Sequence, residues 1–114
     1  MNANGEQARL MAEMEIEELR ELVASLRHEI EDLQTEAVLD ACHIAGLAAE
    51  IKAMIAESEA CPHKEAHPLV QRVEYTDSRT GQTITKTRAL PLYRDAFDAE
   101  ARSSGIDNPE HFRS

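Results

Sequence analysis

Apolar residues recur at a strict seven-residue spacing along the first half of the chain. With position a set at Ile16, the a positions are Ile16, Val23, Ile30, Ala37, Ile44 and Ile51. The d positions are Leu19, Leu26, Leu33, Asp40, Leu47 and Met54. Ten of these twelve slots hold a large apolar residue, and the register runs through six heptads without a skip. A helical stripe with this period winds around a partner as a left-handed coiled coil. β-branched residues at a with Leu at d favour two parallel strands. No Pro occurs before position 62, and Gly46 is the only Gly between positions 6 and 60. The pattern predicts one helix over residues 8–59, about 75 Å long at about 1.5 Å per residue. A helical hairpin would need a turn near the middle, but residues 31–36 contain neither Gly nor Pro and hold the phase. Such a helix cannot bury its stripe alone. It predicts homo-oligomerisation through the large apolar a and d residues, the alternative being one helix folded onto its own C-terminal part.

The two halves of this helix differ. Residues 13–36 hold 11 charged residues out of 24, which predicts a solvated outer face. Glu15 at g faces Arg20 at e of a parallel partner. Residues 37–56 hold 15 apolar residues out of 20, and Val38, Leu39, Cys42, Ala45, Ala49 and Ala53 lie outside the a/d seam. A helix apolar on several sides is buried on several sides, so this half is expected to pack on the C-terminal part or on further helices of an oligomer. Asp40 at d reads either as a polar register device or, the preferred reading, as local splaying where a coiled coil becomes a bundle.

Period two replaces period seven after the helix. Residues 69–76 and 83–89 are rich in β-branched residues and predict two strands, with Asp77–Gln82 as the turn and Gly81 supplying positive φ. Pro91 then opens a helix over about 92–103, with Leu92, Tyr93, Ala96, Phe97 and Ala101 on one face. Gly105 and Ile106 form its C-terminal cap, and Asn108-Pro109 starts a last short turn. All four aromatic residues, Tyr75, Tyr93, Phe97 and Phe112, fall here and are expected to form a small core. The predicted class is mainly α with a small β-hairpin (α+β). It divides into an acidic oligomerisation helix (1–60), a linker (61–68) and a hairpin-plus-helix module (69–114).

Composition sharpens this picture. The formal charge of −10 on 114 residues arises wholly in residues 1–60, which hold 14 acidic and four basic residues; residues 61–114 hold eight of each. The balance argues against general nucleic-acid binding, while a dense acidic face could attract a basic partner or imitate nucleic acid. Two Cys rule out a disulfide scaffold. No signal segment opens the chain, and the apolar stretch 37–56 carries Asp40, His43, Glu50 and Lys52, so a cytoplasmic protein without membrane association is expected.

Candidate chemistry is sparse. Cys61, His63 and His67 are the only closely spaced metal-ligating residues. His43, Cys42 or a partner chain could add a fourth ligand for zinc, although a polar linker has the same appearance and no cofactor is expected. No nucleophile elbow, phosphate loop or dinucleotide fingerprint occurs, so catalysis is not expected. Arg72, Arg79, Lys86, Arg88 and Arg94 lie in or beside the hairpin. Lys86 and Arg88 share a strand face with Ile84, and Thr83, Thr85 and Thr87 share the other. Arg and Thr together suit phosphate oxygens, whereas Lys and Arg also protect sheet edges. The expected function is non-enzymatic binding by a homo-oligomer: an adaptor or inhibitor of another macromolecule, such as a phage or mobile-element accessory protein. The alternative is capture of an anionic nucleotide in inter-subunit pockets of the C-terminal module.

Overall fold

The computed structural model describes residues 3–63 and 67–114. The chain is mostly helical: a long helix α1 (Ala3–Ala60), strands β1 (Arg72–Thr76) and β2 (Thr83–Thr87), and a second helix α2 (Leu90–Ser103). A 3-10 turn at Pro68–Val70 lies between α1 and β1, and another at Pro109–Phe112 follows α2. The chain divides into two compact units, with the boundary between Glu36 and Ala37. Among the described residues, no helix is long and apolar enough to cross a membrane.

The first unit is the N-terminal stretch of α1. Every residue from 4 to 36 is exposed, including the seam residues Ile16 (49%), Leu19 (59%), Val23 (45%), Leu26 (47%), Ile30 (53%) and Leu33 (63%). Its helicity is therefore carried by residue propensity and local pairs such as Arg9–Glu13 at 3.9 Å, not by packing within the chain.

The second unit holds the rest of α1 together with the hairpin and α2. Its core is Cys42, Leu90, Tyr93, Phe97 and Ala101, flanked by Val38, Leu39, Tyr75, Ile84 and Ile106. Leu90, Tyr93, Phe97 and Ala101 follow the three-to-four-residue spacing that places them on one helix face. That face meets α1 at Gly46, where a Cβ would fall inside contact distance of the Tyr93 ring. Glycine is thus a packing requirement at this position. The α1 residues in this core lie outside the a/d seam. The seam residues Ile44 (65%), Leu47 (40%) and Ile51 (56%) remain exposed, and Met54 is half-buried.

The strands pair antiparallel, Arg72 opposite Thr87 through Thr76 opposite Thr83. Val73, Tyr75 and Ile84 form the half-buried face, with Tyr75 and Ile84 against the core. The strands are shorter than predicted at their outer ends: Pro68–Val70 form a 3-10 turn ahead of β1, and Ala89 already caps α2. The turn closes through Asp77, whose backbone N–H donates to the Gln82 carbonyl (2.7 Å) and whose carbonyl accepts from Gly81 (2.8 Å). Gly81 has φ 75°. α2 ends as expected. Gly105 has φ 89°, and the Gly105 and Ile106 N–H groups donate to the Arg102 and Ala101 carbonyls at 3.1 and 2.9 Å. One aromatic departs from expectation: Phe112 is 41% exposed, because the core is completed by Cys42 from α1 instead.

Candidate ligand cavity

A cavity of about 410 Å³ opens in the second unit, within the ordinary size range of small-molecule sites. α1 contributes Leu39, Asp40 and His43; the hairpin contributes Asp77, Arg79, Ile84 and Lys86. Tyr93 and Phe97 of α2 form the apolar wall, and Phe112, Arg113 and Ser114 form the edge. A smaller pocket of about 120 Å³ shares His43, Lys86, Tyr93 and Ser114 and adds Leu47, Glu50 and Leu90.

The walls are fixed by specific bonds. His43 Nδ1 and the Tyr93 hydroxyl are hydrogen-bonded, and the two rings meet edge-on at 5.5 Å. Burial pushes the Tyr93 hydroxyl up in pKa, with Glu50 adding to the shift. Burial also raises the Glu50 carboxyl, against the opposing pull of Lys86 and His43. Arg113 is clamped by Asp98 through two parallel bonds, Nε to Oδ1 at 2.7 Å and Nη2 to Oδ2 at 2.8 Å, and Arg113 Nη1 also donates to Ser78 Oγ at 3.0 Å. The hydrogen bonds from Arg113 hold Asp98 below its ordinary value. The charge of Arg113 is thereby balanced, and the clamp ties the last residues of the chain to α2 and the turn.

Of the five hairpin cations singled out in sequence, Arg79 and Lys86 line this cavity. Arg79 is half-exposed at the side chain and touches Asp77 through a single contact at 3.8 Å, while Asp77 also accepts the Arg79 N–H at 2.8 Å. Arg72 lies on the opposite strand face, where its Nη2 donates to the Thr85 carbonyl at 3.0 Å. Arg94 donates Nε to the Ser114 carbonyl (3.0 Å) and Nη2 to the Thr76 carbonyl (2.8 Å), and it stacks 5.5 Å above the Tyr75 ring. Arg88 is exposed, and its backbone N–H donates to the Gln71 carbonyl at 2.9 Å. The five therefore do not converge on one face.

In the candidate metal cluster, Cys61 is half-buried, His63 is exposed, and His67 Nδ1 lies 3.7 Å from Glu57 Oε1. The Glu57 carboxylate also accepts the Leu69 N–H at 3.2 and 3.3 Å. Residues 64–66 of this cluster lie outside the described residues. Among the described residues, no three His, Cys, Asp or Glu side chains are grouped so as to hold a metal ion.

Tyr93 and Arg113 are not singled out as site residues by the sequence, and His43 enters there only as a possible fourth zinc ligand. His43 is 50 positions from Tyr93, and Arg113 is 15 positions from Asp98, so no local pattern announces either pair. The chain matches no family model, and no curated protein or solved structure matches it.

Proposed function

We propose that this protein is a non-enzymatic, self-associating binding protein: a homo-oligomer that presents its C-terminal units in copies to another macromolecule, as an adaptor or an inhibitor. The observation that carries this reading is the exposure of the a/d seam. Nine large apolar residues, Ile16 to Ile51, each stand 40–65% exposed in the single chain, while the second unit builds its core from a different face of α1. Folding of the chain on itself therefore leaves the repeat unburied. These nine residues expose on the order of 900 Å² per chain, close to the ~800 Å² per partner of a standard interface. Patches of this size are uncommon on monomeric proteins.

The flanking charges favour a second copy in parallel. In a parallel pair, g faces e of the next heptad: Glu15 meets Arg20, Leu22 meets Arg27 and Glu29 meets Gln34, with no like-charge pair. An antiparallel pair sets g against g and e against e, bringing Glu15, Glu29 and Glu36 towards one another and Arg20 towards Arg27. The acidic outer positions Glu17, Glu18, Glu21, Glu31 and Asp32 are all exposed and complement a basic partner. Light scattering of the purified chain tests the reading: a mass of two or more chains supports it, and a monomer at tens of micromolar overturns it.

A further inference from the structure

The seam and the cavity share residues. In the heptad register, Asp40 and Leu47 are d positions and His43 and Glu50 are g positions; these are four of the five α1 side chains that line the two pockets, Leu39 at c being the fifth. The mouth of the site thus lies along the g flank of the exposed seam. We propose that the cavity is a ligand site completed across a self-associated pair, and that it takes a small anion carrying a planar body, in the size class of a mononucleotide. The proposal rests on the self-association argued above.

Three observations converge on it. First, a g flank faces the e flank of a parallel partner, and the e positions along this stretch are Ala41, Ala48 and Ile55. In most coiled coils, long charged side chains at e and g bridge the seam and fill this space. Here His43 would face Ala48 of the partner subunit, so the second helix walls the site without plugging it. Second, the cations differ in how far they are engaged. Arg113 is balanced by Asp98, whereas Arg79 has one contact of 3.8 Å and Lys86 stands exposed at the cavity wall. A guanidinium and an ammonium on one wall suit a phosphate or carboxylate. Third, the lining also holds apolar and aromatic side chains: Leu39, Phe97 and the part-exposed Phe112, with Ile84 beside Lys86 on one face of β2. A planar ring fits there, and the exposed Asp40 carboxylate can accept a hydrogen bond from an amino or hydroxyl group on it.

The test is calorimetric titration of the full chain with AMP, GMP, ATP and GTP, alongside adenosine and inorganic phosphate. Binding of at least one nucleotide at one per chain is expected, at least tenfold tighter than adenosine or phosphate. Arg79→Ala with Lys86→Ala should weaken it at least tenfold while the oligomer persists. Ala48→Gln, which fills the mouth from the partner side, should also weaken it without changing the mass. Leu26→Asp, outside the cavity lining and confirmed as a monomer, should lose binding despite keeping every cavity residue. An oligomer that binds none of the probes overturns the ligand site and leaves self-association standing. Equal affinity in the Leu26→Asp monomer overturns the shared site. Phosphate binding as tightly as any nucleotide overturns the planar body. A monomeric wild type overturns both this site and the function it rests on.

Discussion

Leu26→Asp probes the seam at a d position where the side chain carries no load in the single chain. Leu26 is 47% exposed. Pairing would remove about 85 Å² of apolar surface per chain from water, hence about 170 Å² per dimer. At about 25 cal/mol per Å² this contributes about 4 kcal/mol to association. Losing it weakens the dimer about a thousandfold, and two facing carboxylates in an apolar seam add to the cost. The second-unit core lies at Cys42 and beyond, so the substitution leaves its packing intact. The assay is light scattering across a dilution series, paired with near-ultraviolet circular dichroism of Tyr93 and its neighbours as a check on the second unit. Glu21→Ala, at an outer f position, serves as the control and should leave the mass unchanged. A shift in dissociation constant below tenfold for Leu26→Asp would refute the seam as the site of association. So would dissociation by Glu21→Ala to the same extent.

Gly46→Ala sets a Cβ against the Tyr93 ring, so overpacking of about 1–3 kcal/mol should outweigh the gain of about 1 kcal/mol in helix propensity; a raised melting temperature would contradict this contact. Asp98→Asn should cost about 2 kcal/mol at neutral pH through its charged bonds to Arg113. Because the folded carboxyl titrates below its ordinary 3.8, the pair's contribution is complete above that value and is lost as pH falls through the lowered one. The stability gap between wild type and Asp98→Asn should therefore close in strong acid, and a gap unchanged down to pH 2 would count against the pair. Cys42 is fully buried and burial raises its thiol pKa, whereas Cys61 is partly exposed. A thiol reagent should modify one cysteine per chain in the native state and two after denaturation, as counted by mass spectrometry; rapid native labelling of Cys42 would contradict the core.

The elements were readable where local rules act alone. The helix over 8–59 is observed as Ala3–Ala60, because the absence of Pro and a sustained apolar stripe leave few alternatives. The hairpin followed from β-branched runs around Gly81, and the cap of α2 from Gly105 before Ile106. The pairing of surfaces was less readable. Apolar residues beyond the seam in 37–56 pointed to a second burial surface, but nothing local chose Cys42 and Gly46 as the residues that receive α2. Gly46 stands out in sequence only as the single Gly of the predicted helix, and it is required by an aromatic ring 47 positions away. The cations show the same division. Strand alternation correctly set Lys86 with Ile84, and register then separated Arg72 onto the other face. Arg94 could be placed only once the Thr76 and Ser114 carbonyls had been brought beside α2.

These placements give α1 two separate roles along 37–56. One face is occupied by the chain's own module, through Val38, Leu39, Cys42 and Gly46. The other keeps the heptad seam, through Ile44, Leu47 and Ile51. A helix that served only as a support for the module would gain from polar residues on that second face, since exposed Ile and Leu invite unspecific association. An apolar seven-residue register kept outside the module's buried core is what the proposed partner helix would cover. The residues where the two faces meet are Asp40, His43 and Glu50, which are polar or ionisable and line the cavity. Polar groups in that strip cost stability in any coiled coil. Their placement at the pocket wall is the physical link between how this chain would assemble and what it would bind.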